Sequence, residues 1–485
     1  MLPRVLLHRR IVIVAIGIVS LYYFLYGALP PISLPPWGSD RELKPIALED
    51  PAQYHRIEFG SALVKLFTDN KPAVASLTKL GSAGVIGFKE HNDVPLKRPD
   101  VVSVGTSEVR LLSNAHENFI DQVKNVSLPF LPGSQGIVST AGGALLPVFI
   151  ISLRMLRRTG NNLPVELFLR SDEEHGQYLC DDLLPSMNAR CVIIDDYIKP
   201  SKRRGSFKLE KFQYKIFSVL FSSFEDVLLL DADNFPVEDP TYVFESEPFL
   251  SKGMITWPDF WISTASERFY AIQGTPTPPT NLRASTESGQ VLVSKRSHAA
   301  ALLVAAYYNF YGPTHYYPLL TQGGPGEGDK ETFLAGAAAV GAPFYQVSAP
   351  VSILGYQEHG ELKGVAMLQH DPVGDHDGLA NPGPFTVHAN FPKMEPNSLF
   401  GEDSPIIDSV TGKHHRLWGD ETSAMKTFGK DVERAMWGEI HYVTCNLGGV
   451  FLQWKAVSTN HQRKGTCQLI EDHMDIVFPV KDTTI

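Results

Sequence analysis

Val227-Leu228-Leu229-Leu230 runs without a break into Asp231-Ala232-Asp233 and then into Asn234-Phe235-Pro236. An apolar run this short, bounded by turn residues, reads as a strand buried inside a parallel sheet. Ligands of open α/β sheets sit beyond the carboxyl ends of the strands, which is where this pair of acids emerges. Positions i and i+2 of an extended backbone point the same way, so Asp231 and Asp233 can face one ligand. Two adjacent hard carboxylates suit Mg²⁺ or Mn²⁺ holding a diphosphate. The plainer reading, one Asp capping a turn and the other solvated, has equal weight until the rest of the chain is considered.

The flanking pattern fits a sheet of that kind. Strand patterns at 136–140, 163–169 and 191–194 alternate with helical patterns at 144–158, from 171 onward, and at 209–221. Strand and helix at this spacing predict parallel βαβ units with right-handed crossovers. Further strands are expected at 253–256, 290–293 and 385–388, and helices at 298–310 and 328–339. No internal repeat is visible.

The chain of 485 residues is long enough for a large core. Its net charge of −10 and its lack of long Lys/Arg blocks argue against nucleic acid as a partner. Arg4, Arg9 and Arg10 precede residues 11–29, which carry no charge and end among Tyr22, Tyr23 and Tyr26. A helix of that length reaches about 29 Å, close to a bilayer's hydrocarbon thickness. The basic flank predicts a cytoplasmic tail (1–10), a single anchor (11–29) and a translocated remainder. A cleaved signal peptide is the competing reading, opposed by the length of the run and the lack of an A-x-A-like site.

A lumenal chain makes Asn125-Val126-Ser127 a usable glycosylation acceptor. It also permits disulfides. Pairing of Cys180 with Cys191 and of Cys445 with Cys467 is the simplest of three connectivities, and the spacing does not suit zinc. Residues 30–129 read as a Pro-rich spacer and stem, 130–395 as the catalytic domain, and 396–485 as a C-terminal extension.

A departing diphosphate needs a divalent ion and usually a cation or backbone amides. His388-Ala389-Asn390-Phe391-Pro392-Lys393 offers a histidine that could complete a metal shell and a lysine that could reach a phosphate. The alternative is a satisfied loop histidine beside a surface lysine. Glu287-Ser288-Gly289-Gln290 precedes a strand, where a sugar-contacting loop is expected. Asp329 and Glu331 stand at a helix start, where capping alone would explain them. Trp257-Pro258-Asp259-Phe260-Trp261 reads as a rigid aromatic loop suited to a sugar face, or equally as core. Gly323 to Gly328 form a flexible glycine-rich loop without the Lys-Ser or Lys-Thr of a P-loop. His414-His415 and the acidic runs 172–174 and 181–182 read as surface.

Gly136-Ile137-Val138, Leu163-Pro164-Val165-Glu166, Leu230-Asp231-Ala232-Asp233-Asn234, Glu287-Ser288-Gly289-Gln290 and Gly328-Asp329-Lys330-Glu331 together resemble the fungal Golgi α-1,2-mannosyltransferases of glycosyltransferase family 71. The resemblance spans about residues 130–395 in matching order. It implies a GT-A-type α/β fold with a mostly parallel sheet behind an N-terminal transmembrane helix, in a type II Golgi membrane protein. It also implies retaining transfer of mannose from GDP-mannose to a mannosylated glycan, with Mn²⁺ as cofactor. Asp231 and Asp233 match the metal-binding D-x-D. His388 as third ligand follows a looser likeness to other retaining GT-A enzymes. Lys393 and Gln290 are assigned to the donor diphosphate, and Asp329 and Glu287 to catalysis. An α-1,3 linkage or another nucleotide sugar is the near alternative, and a non-catalytic glycan-binding protein the distant one. A Golgi enzyme complex is left open. Phe235 stands where a smaller aliphatic residue is expected.

Overall fold

Leu228 and Leu230 point to one side of the sheet while Val227 and Leu229 point to the other, and both sides are buried. That arrangement organises the computed structural model, which describes residues 53–88, 94–174, 176–198, 207–451, 454, 456–459 and 462–479. Residues 11–29 lie outside the described residues, among which no helix is long and apolar enough to cross a membrane.

The strands that matter for the site are β1 (Leu131–Thr140), β2 (Val165–Leu169), β3 (Ala189–Ile193), β4 (Phe224–Leu230), β5 (Asn234–Pro236), β6 (Met254–Ile262), β7 (Ala284–Ser294), β8 (Tyr345–Gln346), β9 (Ser352–Glu358), β10 (Glu361–His370) and β11 (Pro384–His388). The seven-stranded sheet has the order β8-β6-β7-β4-β1-β2-β3. All of its pairings are parallel except the two made by β7. From β1 the order runs outward through β2 and β3 on one side and resumes with β4 on the other. The switch point therefore lies between β1 and β4, and a doubly wound sheet opens a crevice there.

Helices cover both faces. Ile137, Leu228, Ile255 and Leu292 meet α3 (Leu145–Arg158) together with Trp418 and Trp437 of the C-terminal segment. Val138, Val227, Leu229 and Val293 meet α1 (Gln53–Asp69), α2 (Thr106–Val123), α4 (Gln213–Phe221) and α5 (Lys295–Phe310). Residues before 130 and after 396 thus close the two faces of the same sheet, and residues 47–485 cluster as one unit. The later helices α6 (Thr332–Val340), α7 (Val432–His441) and α8 (Thr466–Val477) complete the layers used below.

A second, antiparallel sheet of four strands has the order β9-β10-β11-β5. Its register sets His388 opposite Asn234 on one side and Met367 on the other.

Three expectations change. Trp257 to Trp261 form no loop but the bulged second half of β6. The register shifts beside Trp257 and Pro258 accommodate the missing proline N–H, and Trp257 is fully buried and stacked on Phe385 at 5.2 Å. Glu287 to Gln290 lie inside β7 and not ahead of a strand, because their polar groups find partners within the protein. The acidic run after β2 forms only a short 3-10 turn, Asp172–Glu174.

Disulfides join Cys180 to Cys191 and Cys445 to Cys467. Asn125 is exposed. His414 is half-buried, with its Nδ1 2.9 Å from that of the fully buried His473. Phe235 is fully buried and packs near Trp418.

Candidate active site

The turn after β4 is tied on three sides. Asp231 N–H donates to Gly289 O of β7 at 2.8 Å, Ala389 N–H donates to Asp233 O at 2.9 Å, and Ser152 Oγ of α3 donates to Ala232 O at 2.7 Å. Because β5 pairs with β11, His388 arrives beside the two acids although 155 residues separate it from Asp233. Its Nε2 lies 3.2 Å from Asp233 Oδ1 and 3.9 Å from Asp231 Oδ2. One donor atom from each of these three residues falls within 4.8 Å of the others. Two carboxylates and an imidazole, converging at this range in a mostly buried cleft, fit a hard divalent cation such as Mn²⁺ or Mg²⁺.

Glu287 Oε1 lies 3.1 Å from Nδ1 on the far side of the His388 ring. A carboxylate in that position fixes ring orientation and basicity when the other nitrogen faces a metal. Glu287 also accepts from Gly289 N–H at 2.5 Å and from Gln290 Nε2 at 2.8 Å, so it is held in place. Gly289 is required here: a Cβ on it would stand 2.5 Å from His388 Nδ1 and 2.6 Å from Glu287 Oε1.

Cations flank the acids. Lys393 Nζ donates to Asp233 Oδ2. Lys215, on the first turn of α4, lies 2.8 Å from Asp231 Oδ2 and 3.5 Å from Asp329 Oδ2, and donates to Ser288 O and Oγ at 3.3 Å each. Burial pushes the Asp231 carboxyl up to about 6, against the pull of Lys215 and His388. Burial works the same way on Asp233, but His388 and Lys393 outweigh it and hold that carboxyl below the usual range. For His388 burial opposes the charge, yet Asp233 and Glu287 hold its pKa up to about 10. A ligand role needs the neutral ring, so metal uptake would release that proton. Lys215 stays charged because Asp231 and Asp329 outweigh its burial.

These groups line a cleft of about 820 Å³ that also receives Phe260, Trp261 and Lys330. Asp329 is buried on its wall, raised above the ordinary carboxylate range chiefly by burial, and its side chain caps no helix. Glu331 is instead bound to Arg283 at 3.1 Å and to Thr286 N–H at 2.8 Å. Gln290 departs from expectation. It is fully buried beneath the cleft, taking the Asn234 amide on its Oε1, because β7 turns it toward β5 and away from the opening. An adjacent cavity of about 740 Å³ is lined mainly by apolar side chains, and its charged members are paired, Arg283 with Glu331 and Asp259 with Lys330.

Sequence reasoning missed Lys215 and Asn234. The signal for Lys215 was present, since it is the one charged residue in the apolar helix Gln213–Phe221 that leads into β4. Asn234 holds the turn through Nδ2, which donates to Gly289 O at 2.8 Å and to Gln290 Oε1.

The mannosyltransferase family model Mannosyl_trans3 matches residues 134–282 and 275–371. The α-1,2-mannosyltransferase MNN21 of Candida albicans is 30% identical over 88% of this chain and 76% of its own length. The α-1,2-mannosyltransferase MNN2 of Saccharomyces cerevisiae is 34% identical over 58% of this chain, which spans about half, 53%, of that relative. Among solved structures the overlap is partial. The glycosyltransferase GlyE of Streptococcus pneumoniae TIGR4 gives a TM-score of 0.29 at 13% identity, over 44% of this chain and 45% of GlyE. LgtC in complex with donor and acceptor sugar analogues gives 0.28 at 12% identity, over 44% of this chain and 73% of LgtC.

Proposed function

This chain belongs to the fungal α-1,2-mannosyltransferase family, and on that premise we propose that it transfers mannose from GDP-mannose to a hydroxyl of a mannosylated glycan, forming an α-1,2 linkage with retention. The observation that carries the reading is the convergence of Asp231, Asp233 and His388 in the cleft of a doubly wound sheet, flanked by Lys393. A GT-A-type architecture is the natural reading of the 3-2-1-4 strand order beside that cluster.

Asp231, Asp233 and His388 would hold Mn²⁺, which when bound supplies positive charge against the donor diphosphate. Lys393 then gives up part of its contact with Asp233 to a phosphate oxygen. Glu287 keeps His388 in register. Lys215 bridges Asp231 and Asp329 and screens their charges from one another, and Asp329 meets the donor sugar. The acceptor hydroxyl attacks the anomeric carbon from the leaving-group face. Its oxygen forms the new bond as the bond from the anomeric carbon to the phosphate oxygen breaks, and the departing phosphate oxygen takes the hydroxyl proton. No protein nucleophile is required.

A type II Golgi membrane location is proposed alongside, with the catalytic unit in the lumen. Two disulfides and an exposed Asn125 acceptor support an oxidising, glycosylating compartment. The test of the site is Asp233→Ala, with folding verified by circular dichroism. Transfer is expected to fall by at least about a hundredfold, the scale at which even outer-shell changes act on metal sites. Undiminished transfer would remove the metal assignment.

A further inference from the structure

The cleft does not end at the metal cluster. Gly364, Val365, Asn390, Phe391 and Lys393 line it and also line a second, larger groove of about 1350 Å³. The groove runs between β9–β10 and residues 398–414 of the C-terminal segment, with Leu469 and Asp472 of α8 also lining it. The two spaces are therefore continuous, and Phe391 stands at their junction with 77% of its surface exposed. No core demand explains an aromatic ring left in solvent three residues after the buried His388; an exposed ring beside a polar groove presents a flat apolar face to a ligand that is itself amphipathic. Gly364 leaves room at the passage for the Ile353 side chain, since a Cβ there would stand 2.7 Å from Ile353 Cγ2.

The charge of the groove narrows the ligand class. Glu358, Glu402, Asp403, Asp408 and Asp472 line it against Lys363, Lys393 and His414. Carboxylates accept hydrogen bonds from hydroxyls and repel anions. Sugar rings offer both hydroxyls and an apolar C–H face. We propose that this groove binds the acceptor as a neutral oligosaccharide several residues long, with Phe391 stacking on a sugar outside the reacting one. The inference rests on the transfer reading above and gives residues 396–485 a part in choosing the acceptor. A chain bearing phosphate or other acidic groups at those distal sugars is disfavoured.

The experiment compares methyl α-mannoside, α-mannobiose and α-mannotetraose as acceptors with the full chain, its Phe391→Ala and Phe391→Trp variants, and a tetraose carrying a phosphate monoester distal to the reacting sugar. The wild type is expected to gain about tenfold in kcat/KM from the monosaccharide to the tetraose, the scale of one good aromatic contact. Phe391→Ala is expected to lose that gain, Phe391→Trp to keep it, and the phosphorylated tetraose to show none of it. Because the ring is exposed, its removal leaves no buried cavity, and thermal melting checks the fold. A wild type indifferent to acceptor length, or an unaltered length gain in Phe391→Ala, would overturn the proposal. If no acceptor is extended at all, the transfer reading fails separately, and calorimetric titration with α-mannotetraose then decides the groove. Binding weakened by Phe391→Ala upholds it; no binding, or equal binding by the variant, overturns it.

Discussion

Gly289 shows how a single position can govern the site. Its missing Cβ makes room for the His388 ring against β7, and any side chain would enter the 2.5 Å gap to Nδ1. Gly289→Ala is expected to cost transfer about a hundredfold by displacing that histidine, with Mn²⁺ binding weakened in parallel; metal titration beside the rate assay checks both. Lys215 is the second such position. Lys215→Met leaves Asp231 and Asp329 buried without their cation, and about 3–5 kcal/mol of stability is expected to go with it, read from urea midpoints. Away from the cleft, on α2, His116 is fully buried and lies 2.6 Å from Tyr308 Oη. Burial lowers its pKa to about 4. The unfolded chain therefore binds the extra proton first, so this contribution is complete above pH 6.5 and lost as pH falls toward 4, about 3 kcal/mol in all. His116→Gln is expected to flatten the urea midpoint against pH across that window. Asp231, Asp233, His388 and Lys393 were legible in sequence because short motifs announce them. Lys215 stood out as the lone charge of an apolar helix, but its partners Asp231 and Asp329, like the neighbours of Gly289, come from distant segments that no local pattern displays, and Gln290 was misplaced because strand facing was unknown.

At the scale of elements, strand β4 and the helices around it were readable from hydrophobic period alone. The strands rich in polar residues were not. Glu287 to Gln290 read as a loop ahead of a strand, yet they lie within a buried strand where Lys215 donates to Ser288, and Glu331 and the Lys330 carbonyl answer the neighbouring Thr286. Trp257 could equally be a platform or core, and its stacking on Phe385 decides for core. The C-terminal segment carried no chemistry in sequence, but its Trp437 is fully buried in the cluster that includes Leu228 and Leu292. Trp437→Ala is expected to cost about 3–5 kcal/mol, seen as a lowered urea midpoint, as for other large core truncations. A change below about 1 kcal/mol would show that α7 is not part of the core it covers.

For the molecule as a whole, two layers of helix hold a sheet, and the cleft beside its β4 and β7 gathers four carboxylates, two lysines and a histidine from five separate segments. Motif order made the family readable from sequence, whereas the union of the end segments with the central sheet depends on long-range packing that only the structure displays. The central claim is metal-dependent mannosyl transfer, and the most direct measurement is a donor screen on the purified full chain. It follows nucleotide release from GDP-mannose and UDP-sugars with α-mannobiose present, in Mn²⁺ and in EDTA. GDP release with a lengthened mannoside, abolished by EDTA, is the expected result. Release undiminished in EDTA, or none from any donor by a folded chain, would contradict the account.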